Sequence, residues 1–285
     1  MQHLVVLLSV LALLSAQLID IDWSNVRPIV QFDRYRAHMP AELQLLPGST
    51  ISRQVATAGQ FPYQAAIVSN FNDGDGLCGG SILSSKYILT AAHCVQDALG
   101  GVAIMGAQNL ENVEPSQQRI AYSSVGINVH PGFNPTSTHN DIATIRLVSD
   151  MSFNARVVQS QLPAATDTRE YVYKIGTSSG FGKTNSTSTS NELMYFQRPI
   201  ITEQECVLYW GNLVDSGNMC LSGIGGPSTC DDDSGGPLTI QDGDNTLQVG
   251  IVSFGNPGMC SLGVPPVYTR VSFFRPWIVD NSDLV

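Results

Sequence analysis

Cys230-Asp231-Asp232-Asp233-Ser234-Gly235-Gly236-Pro237-Leu238 sets a serine among glycines and acidic residues in the last quarter of the chain. Glycine lets backbone approach a ligand closely, and the amide N–H groups of such a turn can point at a developing oxyanion. A serine hydroxyl is a weak nucleophile, so it needs a base beside it and a third group to orient that base. Two earlier stretches offer them. Leu89-Thr90-Ala91-Ala92-His93-Cys94 sets an imidazole next to a cysteine after a strand-like run, where a disulfide at Cys94 would hold the backbone that presents it. Asn140-Asp141-Ile142-Ala143 puts a carboxylate at the start of an apolar run, where it is partly buried and able to fix the tautomer of a histidine. Singly each stretch is weak: a lone histidine near a cysteine is more often structural, and a serine among glycines is more often a turn. Together they supply nucleophile, base and orienting acid for acyl transfer.

Outward from these stretches, the residues beyond Gly59 form short β-branched or aromatic runs: Gln64 to Val68, Tyr87 to Thr90, Val102 to Met105, Ile142 to Leu147, Leu247 to Phe254 and Pro266 to Val271. Glycine, asparagine and serine turns separate them, which predicts an antiparallel barrel or sandwich. Gly176 to Asn191 is rich in glycine, serine and threonine and reads as an exposed loop. It holds the usable glycosylation sequon, Asn185-Ser186-Thr187, since Asn134 is followed by proline. Phe273 to Asn281 reads as a closing helix, with Pro276 tolerable only in its first turn.

At the other end, Leu4 to Leu14 is an apolar run broken only by Ser9, and Ser15-Ala16 supplies small residues for a cleavage site. This predicts a secretory signal over 1–16, too short for a bilayer, which needs about 20 residues. Residues 17–49 lack sustained alternation, contain Pro28, Pro40 and Pro47, and end in Leu46-Pro47-Gly48-Ser49, the texture of a propeptide or linker before a domain over 50–285. With 285 residues, 43% hydrophobic and 13% charged, the chain is globular rather than disordered. Subtracting 24 acidic from 14 basic side chains gives −10, a sign that repels phosphate backbones and anionic lipid, so neither nucleic acid nor membrane is an expected partner. The six cysteines are even in number and scattered rather than set in the tight pairs of a zinc site, and an oxidising destination predicts that they form disulfides.

In a secreted β-rich chain, the three stretches in this order resemble the chymotrypsin-fold (trypsin-like, S1 family) serine proteases. The likeness runs from about Thr50 to the C-terminus, with further matches at Gly59-Gln60-Phe61-Pro62-Tyr63-Gln64, Cys78-Gly79-Gly80-Ser81 and Val267-Tyr268-Thr269-Arg270-Val271. The wording is most similar to the digestive chymotrypsin-like and brachyurin-like enzymes of arthropods. The resemblance implies an all-β fold of two packed six-stranded antiparallel β-barrels with a short C-terminal helix. His93 and Asp141 would come from the first barrel and Ser234 from the second, meeting in the seam. Ser234 would attack the scissile carbonyl while His93 takes and returns its proton and Asp141 stays ionised against the other ring nitrogen. The backbone N–H groups of Asp232 and Ser234 would form the oxyanion hole, and Asp233 would pair with the amine freed on activation. The family's disulfides would be Cys78–Cys94, Cys206–Cys220 and Cys230–Cys260. Ser228 falls at the floor of the primary pocket, Ser253-Phe254-Gly255 on the strand that walls it, and Pro266 on the opposite wall. A neutral hydroxyl at Ser228 argues against cleavage after lysine or arginine and for apolar residues. The implied protein is a secreted, extracellular serine endopeptidase made as a zymogen. It would be a monomer that acts on protein or peptide substrates, meets protein protease inhibitors, and needs no cofactor or metal.

Two departures from the family pattern support an alternative, a catalytically impaired homologue that acts as a binding protein. Asp232 stands where the family has glycine, bringing a negative charge near a developing oxyanion. The expected new terminus falls at Thr50 after Ser49, with no arginine before it; Arg53 lies too far downstream, which leaves Asp233 without its ammonium. Other clusters read as solvated turns. Asn72-Asp73-Gly74-Asp75-Gly76 has a calcium-loop flavour, but Ser84 stands where an EF-hand needs glutamate. Asp231-Asp232-Asp233 points its side chains in different directions. His130 and His139 are loop residues with no assigned role.

Overall fold

A computed structural model describes residues 18–33, 53–182, 191–223, 233–255 and 264–285. The candidate signal peptide, Thr50, Asn185, Ser228, Cys230, Asp232 and Cys260 lie outside them. Among the described residues, no helix is long and apolar enough to cross a membrane.

The first barrel begins with β3 (Gln64–Phe71) and β4 (Gly74–Ile82), a hairpin paired from Gln64↔Ser81 to Phe71↔Gly74. Around them run β5 (Tyr87–Thr90), β6 (Gly100–Met105), β7 (Gln118–Ser123), β8 (Ile127–Val129) and β9 (Ala143–Arg146). β7 pairs with β6 and β8 pairs with β9, and only the short 3-10 turn Ser124–Gly126 divides β7 from β8. They are two halves of one bent strand, so the sheet closes as a six-stranded ring. β3 is buried on both faces. Ala65, Ile67 and Phe71 point into the barrel with Ile82, Ile88 and Leu89, while Ala66 and Val68 meet Phe181 and Leu193 beyond it. Burial on both faces explains why β3 reads as a continuous apolar run rather than an alternating one.

The second barrel comprises β10 (Ile175–Gly180), β11 (Met194–Ile201), β12 (Asn218–Leu221), β13 (Pro237–Asp242), β14 (Asn245–Phe254) and β15 (Val267–Arg270). Their order is β10-β13-β14-β15-β12-β11, and pairing of β10 with β11 closes it. The short strand β2 (Gln54–Val55) adds to the outside of β11. Phe196, Leu221, Leu238, Ile240 and Tyr268 fill the interior. One expectation fails here: residues 176–180 are a strand and not an exposed loop. Their smallness is a packing requirement. A Cβ on Gly176 would stand 2.7 Å from Leu221 and 2.8 Å from Leu238, and one on Gly180 would run into Asp233 Oδ1.

α1 (Glu203–Trp210) follows β11 and was not anticipated, although Thr202 and Glu205 form a capping box: the Thr202 N–H donates to Glu205 Oε2 (2.8 Å) and the Glu205 N–H to Thr202 Oγ1 (3.1 Å). The Cys206–Cys220 disulfide ties this helix to β12. α2 (Arg275–Asp280) is the closing helix, with Pro276 in its first turn. Phe274 and Ile278 return to the core of the first barrel.

Residues 18–33, read as part of a propeptide or linker, are packed on the first barrel. β1 (Val26–Pro28) pairs in parallel with Asp75 to Leu77 of β4. Ile29 and Phe32 are buried behind it, each such side chain contributing about 1.5–3 kcal/mol. Gly76 makes the room: a Cβ there would lie 2.9 Å from Ile29 and 3.5 Å from Phe32.

His130 is a loop residue, as expected, and its ring is packed against α2 and the residue before it. Its ring centroid lies 5.3 Å from those of Phe274 and Trp277, and its Nδ1 accepts the Gly132 N–H at 3.1 Å. Burial lowers its pKa below the ordinary 6.5. The unfolded chain therefore takes up this proton more readily than the folded one, so the stability due to neutral His130 is present above about pH 6.5 and lost as pH falls. The fall in melting temperature from about pH 7.5 to about 5.5 is expected to be smaller in His130→Phe than in the wild type.

Candidate active site

His93 sits in a 3-10 turn, Ala92–Cys94, directly after β5, and the Cys78–Cys94 disulfide fastens that turn to β4. Asp141 lies two residues before β9. Asn140 before it has φ 56°, a left-handed conformation that asparagine tolerates better than most residues, and its Nδ2 donates to the Gly132 carbonyl at 2.8 Å. β5 and β9 are neighbours, with Thr90 opposite Ala143, so residues just beyond the paired ends meet.

The carboxylate of Asp141 is the most heavily hydrogen-bonded group in the site. Oδ1 accepts the His93 backbone N–H at 3.0 Å, and Oδ2 accepts from His93 Nδ1 at 2.7 Å and from the Ser253 hydroxyl at 2.6 Å. Thr269 Oγ1 donates to the Asp141 carbonyl at 2.7 Å. Asp141 is 1% exposed. Because Oδ2 accepts from Nδ1, the proton sits on Nδ1 and Nε2 of His93 is the acceptor nitrogen, the tautomer a general base needs.

Ser234 arrives from the other barrel, on the turn before β13. The Gly79 N–H of β4 donates to the Ser234 carbonyl at 2.7 Å, which stitches the turn to the first barrel. That carbonyl oxygen lies 3.4 Å from Cys94 Sγ, and Cys94 Sγ lies 3.7 Å from His93 Nε2. Within the turn the Gly236 N–H donates to the Asp233 carbonyl at 2.8 Å, and the Gly235 N–H donates to Val252 of β14 at 2.8 Å. Close approach is the reason for glycine at position 79, where a Cβ would stand 2.8 Å from Gly236 Cα. The Ser234 turn is thus held, through Gly79 and Cys94, to the same part of the first barrel that carries His93.

A family model described as Trypsin matches residues 50–278. The chain belongs to the trypsin family of serine endopeptidases. Among curated members it is 35% identical to brachyurin of Leptuca pugilator, over 80% of this chain and 96% of that one. It is 33% identical to a chymotrypsin of Phaedon cochleariae, over 82% of each chain. A solved structure titled HL collagenase superposes with a TM-score of 0.74 at 29% identity, covering 82% of this chain and 99% of that chain.

The pocket residues expected from the trypsin family divide in two. Ser253 is 1% exposed and spends its hydroxyl on Asp141, so its side chain supports the acid rather than walling a pocket. Phe254 turns inward, its ring 5.2 Å from Trp210 in an edge-on contact beside the Cys206–Cys220 disulfide, which is the place of a core aromatic. Gly255 follows it at the end of β14 with intermediate exposure, and Pro266 is buried with its carbonyl accepting the Leu221 N–H at 3.2 Å. Cys78, His93 and Cys94 bring three potential metal-binding atoms, two sulfurs and a ring nitrogen, within 4.8 Å. The sulfurs are joined in a disulfide and offer no thiolate, while His93 Nδ1 is committed to Asp141.

Asp233 departs most from expectation. It is buried, yet it does not lack a cation: Arg53 Nη2 lies 2.7 Å from its Oδ2, with both side chains 0% exposed. Its Oδ1 accepts the Gly182 N–H at 3.2 Å. Neither Arg53 nor Thr269 was singled out in the sequence as a site residue. Thr269 lay within a quoted family stretch, whereas Arg53 carried no local signal of its destination.

Proposed function

We propose that this protein is a secreted endopeptidase that hydrolyses peptide bonds with Ser234 as nucleophile, His93 as general base and then acid, and Asp141 as the group that orients and stabilises the imidazole. The carrying observation is the Asp141 carboxylate, which accepts His93 from both backbone and ring and so makes Nε2 the acceptor nitrogen, 3.7 Å from Cys94 Sγ, which itself lies 3.4 Å from the Ser234 carbonyl oxygen. The proton of Ser234 passes to Nε2 as its oxygen bonds the scissile carbonyl carbon. The same proton passes to the leaving amine as the tetrahedral adduct collapses to an acyl-enzyme and a free amine. Water repeats the cycle, forming the acid and restoring the serine.

The preferred substrates are proteins cut after apolar residues, a reading supported by Ser228, whose side chain carries no charge to attract lysine or arginine. In this reading a signal over 1–16 and a pro-segment over 17–49 precede a protease domain over 50–285, and the working form is extracellular and monomeric, open to protein inhibitors that fit the same groove. The backbone N–H groups of Asp232 and Ser234 hold the oxyanion.

A fluorophosphonate probe tests this directly, because its phosphorylation of Ser234 requires a working base and oxyanion site. Wild type is expected to label at Ser234, and Ser234→Ala not at all. Asp232→Gly is expected to label faster, since a carboxylate beside the oxyanion opposes the charge stabilisation that one hole donor supplies, worth roughly 3–4 kcal/mol. Protein that never labels, cut or uncut, is a binding homologue instead.

A further inference from the structure

We infer that Arg53 is a built-in cation for Asp233, which organises the Ser234 turn in the uncut chain without an inserted amino terminus. The inference rests on the protease reading and concerns how its site is held ready.

The pair is made of two groups that burial would penalise separately. A desolvated carboxylate next to the nucleophile needs a positive partner, and so does a desolvated guanidinium. Arg53 Nη2 lies 2.7 Å from Asp233 Oδ2, and neither side chain reaches solvent. By hydrogen-bond geometry none of Arg53 Nε, Nη1 and Nη2 has a partner among the described residues, so what holds the guanidinium at Asp233 is charge pairing rather than a directed hydrogen bond.

Both ends of the pair are anchored. Arg53 directly precedes β2, whose Gln54 and Val55 pair with Tyr195 and Met194. The Ala56 N–H donates to the Leu193 carbonyl at 2.8 Å, and the guanidinium carbon lies 5.7 Å from the centre of the Phe196 ring. On the other side, Gly180 lacks the Cβ that would collide with Asp233 Oδ1, and the Gly182 N–H holds that oxygen. The Asp233 carbonyl accepts the Gly236 N–H across the nucleophile turn. A carboxylate fixed by Arg53 and Gly182 therefore fixes the backbone that carries Ser234. Arg53 touches no reacting atom; it is a positioning residue.

The chemistry of the cation gives a signature. An α-amine ordinarily loses its proton at about pH 8 whereas a guanidinium keeps its charge in all but strong alkali, so a turn held by an inserted amine loosens in mild alkali and one held by a guanidinium does not. The test uses full-length protein shown by amino-terminal sequencing to be uncut between residues 17 and 53, with fluorophosphonate labelling of Ser234 as the readout. Uncut wild type is expected to label, at a rate that does not fall between about pH 8 and about pH 10. Arg53→Gln is expected to label on the order of a hundredfold more slowly, the cost of a nucleophile displaced by about 1 Å, with Arg53→Lys recovering part of the rate. The wild-type pH profile stands even if Arg53→Gln fails to fold. Labelling that appears only after a cut near residues 49–53, or a rate that drops through about pH 8–9, would overturn the inference and leave the protease reading standing. A chain inert both cut and uncut sinks both.

Discussion

Asp141→Asn is expected to lower kcat by about four orders of magnitude with the fold retained, as loss of the correct histidine tautomer does in this constellation. The wild-type carboxylate accepts three hydrogen bonds, from the His93 amide, the His93 ring and the Ser253 hydroxyl. An amide in its place can accept at one atom only and must donate at the other. With its nitrogen at the Oδ2 position, it offers a donor to Nδ1 and to Ser253, so Nδ1 becomes the acceptor and the proton moves to Nε2. A protonated Nε2 cannot take the Ser234 proton. The measurement is steady-state hydrolysis of an ester substrate beside a thermal melt. A melting temperature close to wild type with a collapsed kcat identifies the tautomer as the cause, whereas unchanged turnover would remove Asp141 from the mechanism.

Gly235→Ala is expected to damage folding and activity together. Gly235 has φ +80°, which costs an L-residue about 1–2 kcal/mol. Its new Cβ would stand 2.6 Å from the Gly79 carbonyl oxygen and 3.1 Å from Cys94 Sγ, and would strike Thr90 Oγ1. The carbonyl and the disulfide cannot swing aside as a flexible side chain would, so overpacking adds about 1–3 kcal/mol more. The total of about 2–5 kcal/mol should appear in a denaturant titration, and the surviving folded fraction should turn over at least about a hundredfold more slowly because the serine is displaced. A variant within about 0.5 kcal/mol of wild type would show that this turn is looser than its contacts imply.

The candidate chemistry is written locally. Ser234 among glycines, His93 beside Cys94 and Asp141 at the head of an apolar run each occupy fewer than about ten residues, and their types suggest the proposed roles. The strand runs were legible for the same reason: Tyr87 to Thr90 is bounded in the structure as it reads in the sequence. What could not be read depends on contacts distant in sequence. Gly176 to Gly180 looks like a loop because small polar residues are the mark of loops, and only the nearness of Leu221, Leu238 and Asp233 shows that smallness here is a fit to a crowded interior. Ser253 looks like a pocket wall until its hydroxyl is seen on Asp141. Arg53 looks like a cleavage residue in the wrong place, and its partner is decided by the pairing of β2 with β11.

β1 has a bearing on how this molecule behaves once trimmed. β5 pairs with β4 only at Ser81 and Ile82, and the neighbouring length from Asp75 to Leu77 is taken up by Val26 to Pro28. No cysteine precedes Cys78, so nothing covalent would retain those residues after a cut behind them. A chain that shed them would bare a row of unpaired amide and carbonyl groups beside an empty apolar socket, the kind of surface on which proteins aggregate. For this protein the leading segment is therefore a guard against clumping.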